Sequence, residues 1–279
     1  MKIVSCYSVE EYSIMIIIKI LKEIIGYIDM RERYKLYNGD CLEIMKDIPS
    51  NSIDMILCDL PYGITKNKWD TVIPFDDLWK QYNRIIKDNG VIVLFAQGMF
   101  TSNLMQSNSK HWRYNLIWEK DRPSGFLNAK RMPLRSHEDI CVFYKKLPTY
   151  NPQFWEGKPL HGMGSNFKEG NLENNNYGNF PSHKNPSALR KGDTQKHPRS
   201  VLKFNRPHPP IHPTQKNVSL CEWLIKTYTN ENDLVLDNCM GSGTTGAACM
   251  NISRRFIGIE LGKDYFDIAK NRIEEVNSN

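Results

Sequence analysis

No C-x-x-C pair occurs in this chain, although it holds seven cysteines: Cys6, Cys41, Cys58, Cys141, Cys221, Cys239 and Cys249. The number is odd and the spacing scattered. Cys41, Cys58, Cys141 and Cys239 fall in or beside apolar runs. That pattern excludes a disulfide framework and a zinc site, so no metal is expected, and it fits reduced thiols in a cytoplasmic protein. An apolar run long enough to span a membrane is also missing. The best stretch, residues 14–28, is too short and carries Lys19, Lys22 and Glu23. No small-residue cleavage site follows it, which excludes a secretory signal. No membrane partner is therefore expected. Residues 1–29 read either as a helix packed on the domain or on a partner, or as an extension upstream of Met30. Internal repeats are absent.

Charge of one sign is in modest excess overall, at +6 over 279 residues. Its placement is more informative. Residues 145–216 hold twelve Lys and Arg against four acids, a local +8, which leaves the rest of the chain at −2. Such a balance permits a nucleic-acid partner and puts the contact in one segment. The 40% hydrophobic content supports one sizeable α/β core with an inserted module.

The apolar pattern predicts a sheet alternating with helices. Residues 34–37, 53–58, 91–96, 114–118, 140–144, 234–236 and 256–260 read as strands. Helices are expected over 41–46, 78–87 (with Asn89-Gly90 as its stop), 219–228, from the glycines at 241–246 through Met250, and over 264–276. Residues 148–213 break the pattern, being rich in Asn, Gly, Pro, His and basic residues. They are too many for an idle loop, so the stretch is either functional or disordered.

Two motifs carry chemistry. Asp59-Leu60-Pro61-Tyr62 sits where the apolar strand 53–58 ends, and ligands of open α/β sheets bind beyond such strand ends. A carboxylate there accepts one hydrogen of an amino group, a neighbouring carbonyl accepts the other, and the Tyr62 ring stacks on a base. Taken alone, the tetrapeptide is more often an ordinary turn. The second motif is Asp237-Asn-Cys-Met-Gly241-Ser242-Gly243-Thr-Thr-Gly246, running from strand 234–236 into a helix. Its glycines let the backbone approach a ligand. It also fits G-x-G-x-x-G with Glu260 as a ribose ligand, which keeps a nicotinamide or flavin enzyme open. That reading needs further βα units, and only 33 residues follow Gly246.

Residues 36–62, 212–216 (HPTQK), 234–246 and 256–260 (FIGIE) together closely resemble the amino-group DNA methyltransferases of restriction–modification systems. They stand in the permuted order of the beta group: catalytic motif, recognition region, then cofactor glycines. The resemblance covers residues 34–145 and 207–275. It implies a class I S-adenosylmethionine-dependent methyltransferase fold, a mainly parallel sheet with one antiparallel strand and an inserted target-recognition module. The implied organisation is an N-terminal extension over 1–29, a catalytic half over 30–145, the recognition region over 146–206 and a cofactor half over 207–279.

The resemblance also implies roles. Asp59, Pro61 and Tyr62 would form the catalytic corner. Asp40, Thr214, Lys216, Asp237, Gly241, Ser242, Gly243 and Glu260 would hold S-adenosylmethionine, with Glu260 on the ribose, Asp40 at the adenine, and Thr214 and Lys216 near the carboxylate. Taken alone, Asp40 reads more readily as a helix N-cap, and the competing reading of Lys216 is a solvated charge. Arg190, Lys191, Arg199 and Lys203 would contact DNA, joined by Arg131, Arg135 and Trp155. The competing account of the basic segment is a disordered linker. Leu60 replaces the family's first proline, Asn238-Cys239 its Pro-Phe, and Asn217 the Pro after the lysine. Asp at position 59 favours adenine N6 over cytosine N4, and no Pro-Cys nucleophile for cytosine C5 is present. A DNA-binding regulator with a decayed site is the non-enzymatic alternative, which intact Asp59, Tyr62, Gly241, Gly243 and Glu260 oppose. DNA is the expected partner, with a homodimer and a cognate restriction endonuclease as further ones.

Overall fold

The computed structural model describes residues 33–64, 70–159, 173–174, 178–179, 194–207 and 215–278. Its centre is an eight-stranded sheet: β1 (Tyr34–Asn38), β2 (Ile53–Asp59), β3 (Ile86–Ala96), β4 (Trp112–Ser124), β5 (Arg135–Phe143), β6 (Val201–Lys203), β7 (Leu234–Asp237) and β8 (Arg255–Glu260). The spatial order is β1-β8-β7-β2-β3-β5-β4-β6. Every neighbouring pair is parallel except the two that involve β5. One antiparallel strand in an otherwise parallel sheet is the expected arrangement.

Side-chain alternation along the strands supplies two cores, one on each face. Met55 and Leu57 of β2 join Val91, Val93, Val235 and Phe256 beneath three helices: α4 (Val218–Tyr228), α5 (Thr244–Asn251) and α6 (Lys263–Ser278). Ile56 and Cys58 point the other way. They meet Ile92, Leu94, Leu236 and Ile259 under α1 (Cys41–Ile44), α2 (Phe75–Ile85) and α3 (Met99–Ser107). A sheet buried on both faces explains the nearly unbroken apolar runs of β2, β3 and β7.

Three local expectations need correction. Asn89-Gly90 does not stop a helix, because α2 ends at Ile85 and Ile86 already pairs with Ile53. The pair lies instead in an irregularity of β3, where two residues of β2 oppose five of β3. A Cβ at Gly90 would come within 2.9 Å of the Asp54 carbonyl, so only glycine fits. The helix also begins at Phe75, three residues before the expected start, directly after Pro74. Helix α3 carries little apolar periodicity and was not expected.

The basic segment is tied to the core at both ends. The Asn151 side chain donates to the carbonyls of Lys226 and Thr229, and its backbone N–H to that of Thr227, so it caps the C-terminus of α4. Trp155–Glu156 pairs with Gln195–Lys196 as a short antiparallel ladder. Val201–Lys203 joins the main sheet beside β4, so the recognition region expected over 146–206 is not separate from the sheet throughout. No helix among the described residues is long and apolar enough to cross a membrane. The apolar stretch 14–28 lies outside the described residues.

Candidate active site

Strand β2 delivers Asp59 to the carboxyl edge of the sheet, where Leu60-Pro61-Tyr62 turn away. The turn is held from behind: Asp70 accepts from the backbone N–H groups of Gly63 (2.8 Å) and Ile64 (3.0 Å). Tyr62 packs its ring on Phe100, with centroids 4.8 Å apart, and its hydroxyl donates to Asp59 Oδ1 at 2.6 Å. The hydroxyl therefore has a partner, which a purely stacking role for the ring does not include.

The second Asp59 oxygen meets a cation. Lys216 Nζ lies 2.6 Å from Asp59 Oδ2 and 3.1 Å from Glu138 Oε2, the latter an ion pair without hydrogen-bond alignment. Glu138 Oε1 in turn accepts from Lys120 Nζ at 2.8 Å. Lys216 also stands over the Phe95 ring, 5.0 Å from its centroid, and Lys120 over that of Trp118 at 5.6 Å. Two carboxylates and two ammonium groups thus balance in a buried row, as buried charges must. Lys216 is therefore not a solvated charge: it is buried, with its ammonium drawn to Asp59 and Glu138.

Burial and charge compete along the row. For Asp59, burial raises the pKa, against the pull of Lys216. Burial works against charge on Glu138 as well, but Lys216 and Lys120 outweigh it and hold the carboxyl down at about 2. Lys216 is held firmly protonated, since Asp59 and Glu138 more than offset its burial. Burial and the Asp59 charge push the Tyr62 phenol well above its ordinary value, which keeps it a donor.

At the neighbouring edge, β7 ends in Asp237 and the glycine loop leads into α5. Gly241 has φ +51° and open space where a Cβ would stand, so bare backbone faces outward there. Gly243, with φ +76°, serves packing instead: a Cβ would press within 3.0 Å of Ala269 on α6. Glu260 closes the loop by accepting from the N–H groups of Gly241 (2.9 Å) and Gly262 (2.8 Å). Ser242 is buried, and its carbonyl accepts from Arg272. Burial pushes the Asp237 carboxyl up to about 7, against hydrogen bonds from Thr245 and the Cys239 N–H. Asp40 is an N-cap in fact, accepting from Leu42 N–H at 2.7 Å, and it also lines the cavity described next.

A cavity of about 530 Å³ joins the two ends. Asp59, Tyr62 and Lys216 line one end, and Asp40, Gly241 and Glu260 the other. Its size is that of a small-molecule cofactor site. Outward-facing Gly241 and carboxylates at both walls suit a ligand carrying an amine and hydroxyl groups.

Of the remaining expected site residues, Pro61 lines the cavity. Thr214, Arg190 and Lys191 lie outside the described residues. Arg199 stands 5.1 Å over the Trp155 ring, and Lys203 pairs with Glu119 at 3.4 Å on the sheet edge. Arg135 bonds the Gln97 side chain. Glu138 and Lys120 were not expected. The available signal was two charged residues beside apolar strands, made meaningful only by the antiparallel pairing of β4 with β5. Asn238, which departs from the family proline, is buried and accepts from the Tyr82 hydroxyl at 2.6 Å.

A doubly covered sheet with one reversed strand, and a glycine loop opposite an Asp-x-Pro-Tyr corner, define a class I methyltransferase. A family model described as DNA methylase, for N6 and N4 methyltransferases, matches residues 53–271. The chain belongs to that DNA methylase family. It is 30% identical over 263 residues to the type II methyltransferase M.BglII of Bacillus subtilis, covering 84% of this chain and 67% of that one. The solved complex of M1.HpyAVI with SAM superposes with a TM-score of 0.57 at 29% identity, over 86% of this chain and 99% of the other. PvuII DNA methyltransferase, titled cytosine-N4-specific, shares the fold with a TM-score of 0.60 at 16% identity, over 88% and 91% of the two chains.

Proposed function

We propose that this chain transfers the methyl group of S-adenosylmethionine to N6 of adenine in DNA. The observation that carries the reading is the Asp59 carboxylate, held between Tyr62 and Lys216, opening on the same cavity as Gly241 and Glu260. When bound, S-adenosylmethionine supplies a methyl group on a positively charged sulfur. Gly241, Asp40 and Glu260 would hold it. Likeness to M1.HpyAVI, solved with SAM, supports that choice of cofactor.

The remaining work falls to the catalytic corner. An adenine amine is a poor nucleophile, because its lone pair is delocalised into the ring. Asp59 accepts one amine hydrogen and favours the tetrahedral nitrogen, while a backbone carbonyl of the Leu60-Pro61 turn accepts the other. Lys216 offsets part of the burial that raises the pKa of the carboxyl. This is catalysis by positioning and preorganised charge. The target base must leave the duplex to reach the corner. A basic segment anchored beside that corner supplies phosphate contacts.

The nicotinamide reading fits less well. The family model that matches residues 53–271 describes DNA methylases, and the similar M1.HpyAVI was solved with SAM. The relatives' designation as type II methyltransferases supports a place in a restriction–modification pair. Single-molecule sequencing of DNA from cells expressing the chain tests the base. Modified adenine at one recurrent sequence is expected, and modification confined to cytosine would overturn the choice of N6.

A further inference from the structure

Between β4 and β5 the chain leaves the sheet over residues 125–134. Gly125 turns it out with φ +89°, and Phe126–Asn128 forms a single 3-10 turn. Ala129 N–H donates to the Phe126 carbonyl, and the N–H groups of Arg131 and Met132 both donate to that of Asn128. The tip is therefore ordered by its own backbone.

Its side chains are turned outward. Phe126 is 82% exposed, Leu127 97% and Met132 55%. Two adjacent large apolar groups on an internally bonded tip are not explained by packing, since neither contributes to a core. Arg122, Lys130, Arg131 and Arg135 flank them in sequence, and residues 122–135 contain no acid. The location is equally specific. Ser124, at one foot of the loop, lines the Asp59 cavity. Arg135, at the other foot, bonds Gln97, which lines it too.

We propose that Phe126 and Leu127 form a wedge that enters the base stack of duplex DNA at the step vacated by the target base. This inference rests on the reading of the chain as a DNA methyltransferase. A base that leaves the stack exposes apolar faces of its neighbours and a gap between them. An apolar side chain fills such a gap, as wedges do in other DNA-bending proteins. The flanking cations match the phosphates on either side. An apolar protein partner would cover Phe126 and Leu127 but offers nothing to four cations.

The test uses the full chain carrying Phe126→Ala and Leu127→Ala together. Both residues are exposed, so the fold should be unaffected, and cofactor binding by titration calorimetry should match wild type. Two duplexes containing the sequence that the wild-type protein methylates are compared, one intact and one with an abasic site opposite the target base. An abasic partner removes most of the cost of extruding the target. The double variant should methylate the intact duplex at least about tenfold more slowly, yet stay within about twofold of wild type on the abasic one. Equal loss on both, or loss on neither, overturns the wedge. Wild-type protein that methylates no sequence in the DNA of cells expressing it overturns the reading beneath it, and the wedge with it.

Discussion

Lys216 Nζ stands 2.6 Å from Asp59 Oδ2, so the Asp59 carboxylate has a buried cation as its direct partner. The lysine comes from the segment before α4 and the aspartate from the end of β2, 157 positions earlier in the chain. Burial raises the Asp59 pKa and Lys216 lowers it. Removing the cation leaves burial and the Glu138 charge opposed only by the Tyr62 hydrogen bond. Lys216→Gln should therefore move the acid limb of the kcat profile to higher pH by about one unit or more, the usual influence of an opposite charge at this range. Methyl transfer measured from pH 5 to 9, beside a thermal-unfolding check, would show it. An unmoved limb contradicts the pairing.

Tyr62 tests a point on which the structure changes the expectation. From sequence the ring alone carries the role, and Tyr62→Phe would be close to wild type. With the hydroxyl 2.6 Å from Asp59 Oδ1, the substitution removes a donor to a charged acceptor. Such bonds are worth about 1.5–3 kcal/mol. Tyr62→Phe should lose about tenfold or more in kcat, and Tyr62→Ala more again because stacking goes too. Steady-state kinetics on duplex DNA decides it, and wild-type activity in Tyr62→Phe would restore the simpler stacking role.

Glu138 gives a pH signature in stability. Its carboxyl is held at about 2, down from 4.5, by Lys216 and Lys120 against burial. A depressed carboxyl stabilises the fold above pH 4.5, and that contribution drains away as pH falls toward 2. The amount is roughly 3 kcal/mol. Glu138→Gln should be clearly less stable than wild type at pH 7, with the gap narrowing as pH drops to 3. Denaturant unfolding at the two pH values measures this, and a constant gap would show that the charge is not what matters.

The two loop glycines should fail differently. Gly243→Ala drives a Cβ to within 3.0 Å of Ala269 and should destabilise by about 1–3 kcal/mol. Gly241→Ala meets open space and costs only its positive φ, about 1–2 kcal/mol. It should nevertheless weaken S-adenosylmethionine binding in titration calorimetry, since the methyl would stand in the cofactor cavity. Unchanged affinity in Gly241→Ala would remove that glycine from the site.

The central strands were legible because a sheet buried on both faces needs short apolar runs, and β2, β7 and β8 have them. The ends of β2 and β7 were legible too, since Asp59 and Asp237 follow those apolar runs directly. Asn89-Gly90 misled, because a glycine forced by a bulge against Asp54 looks the same in sequence as one that stops a helix. The contacts of Lys216 were not legible. Its partners, Asp59 and Glu138, are distant in the chain and share no periodicity with it. Glu138 and Lys120 escaped notice for the same reason, because only the antiparallel pairing of β4 and β5 brings them together.

Asp59 and the base it acts on can be measured together. Purified wild-type and Asp59→Ala proteins would each be incubated with duplex DNA and methyl-labelled S-adenosylmethionine, and the digested nucleosides separated by mass spectrometry. A parallel titration would confirm that both proteins bind cofactor. Label is expected in N6-methyl-2′-deoxyadenosine with wild type, with a loss of about a thousandfold with Asp59→Ala. Asp59→Ala protein that still labels adenine at a wild-type rate would contradict that role.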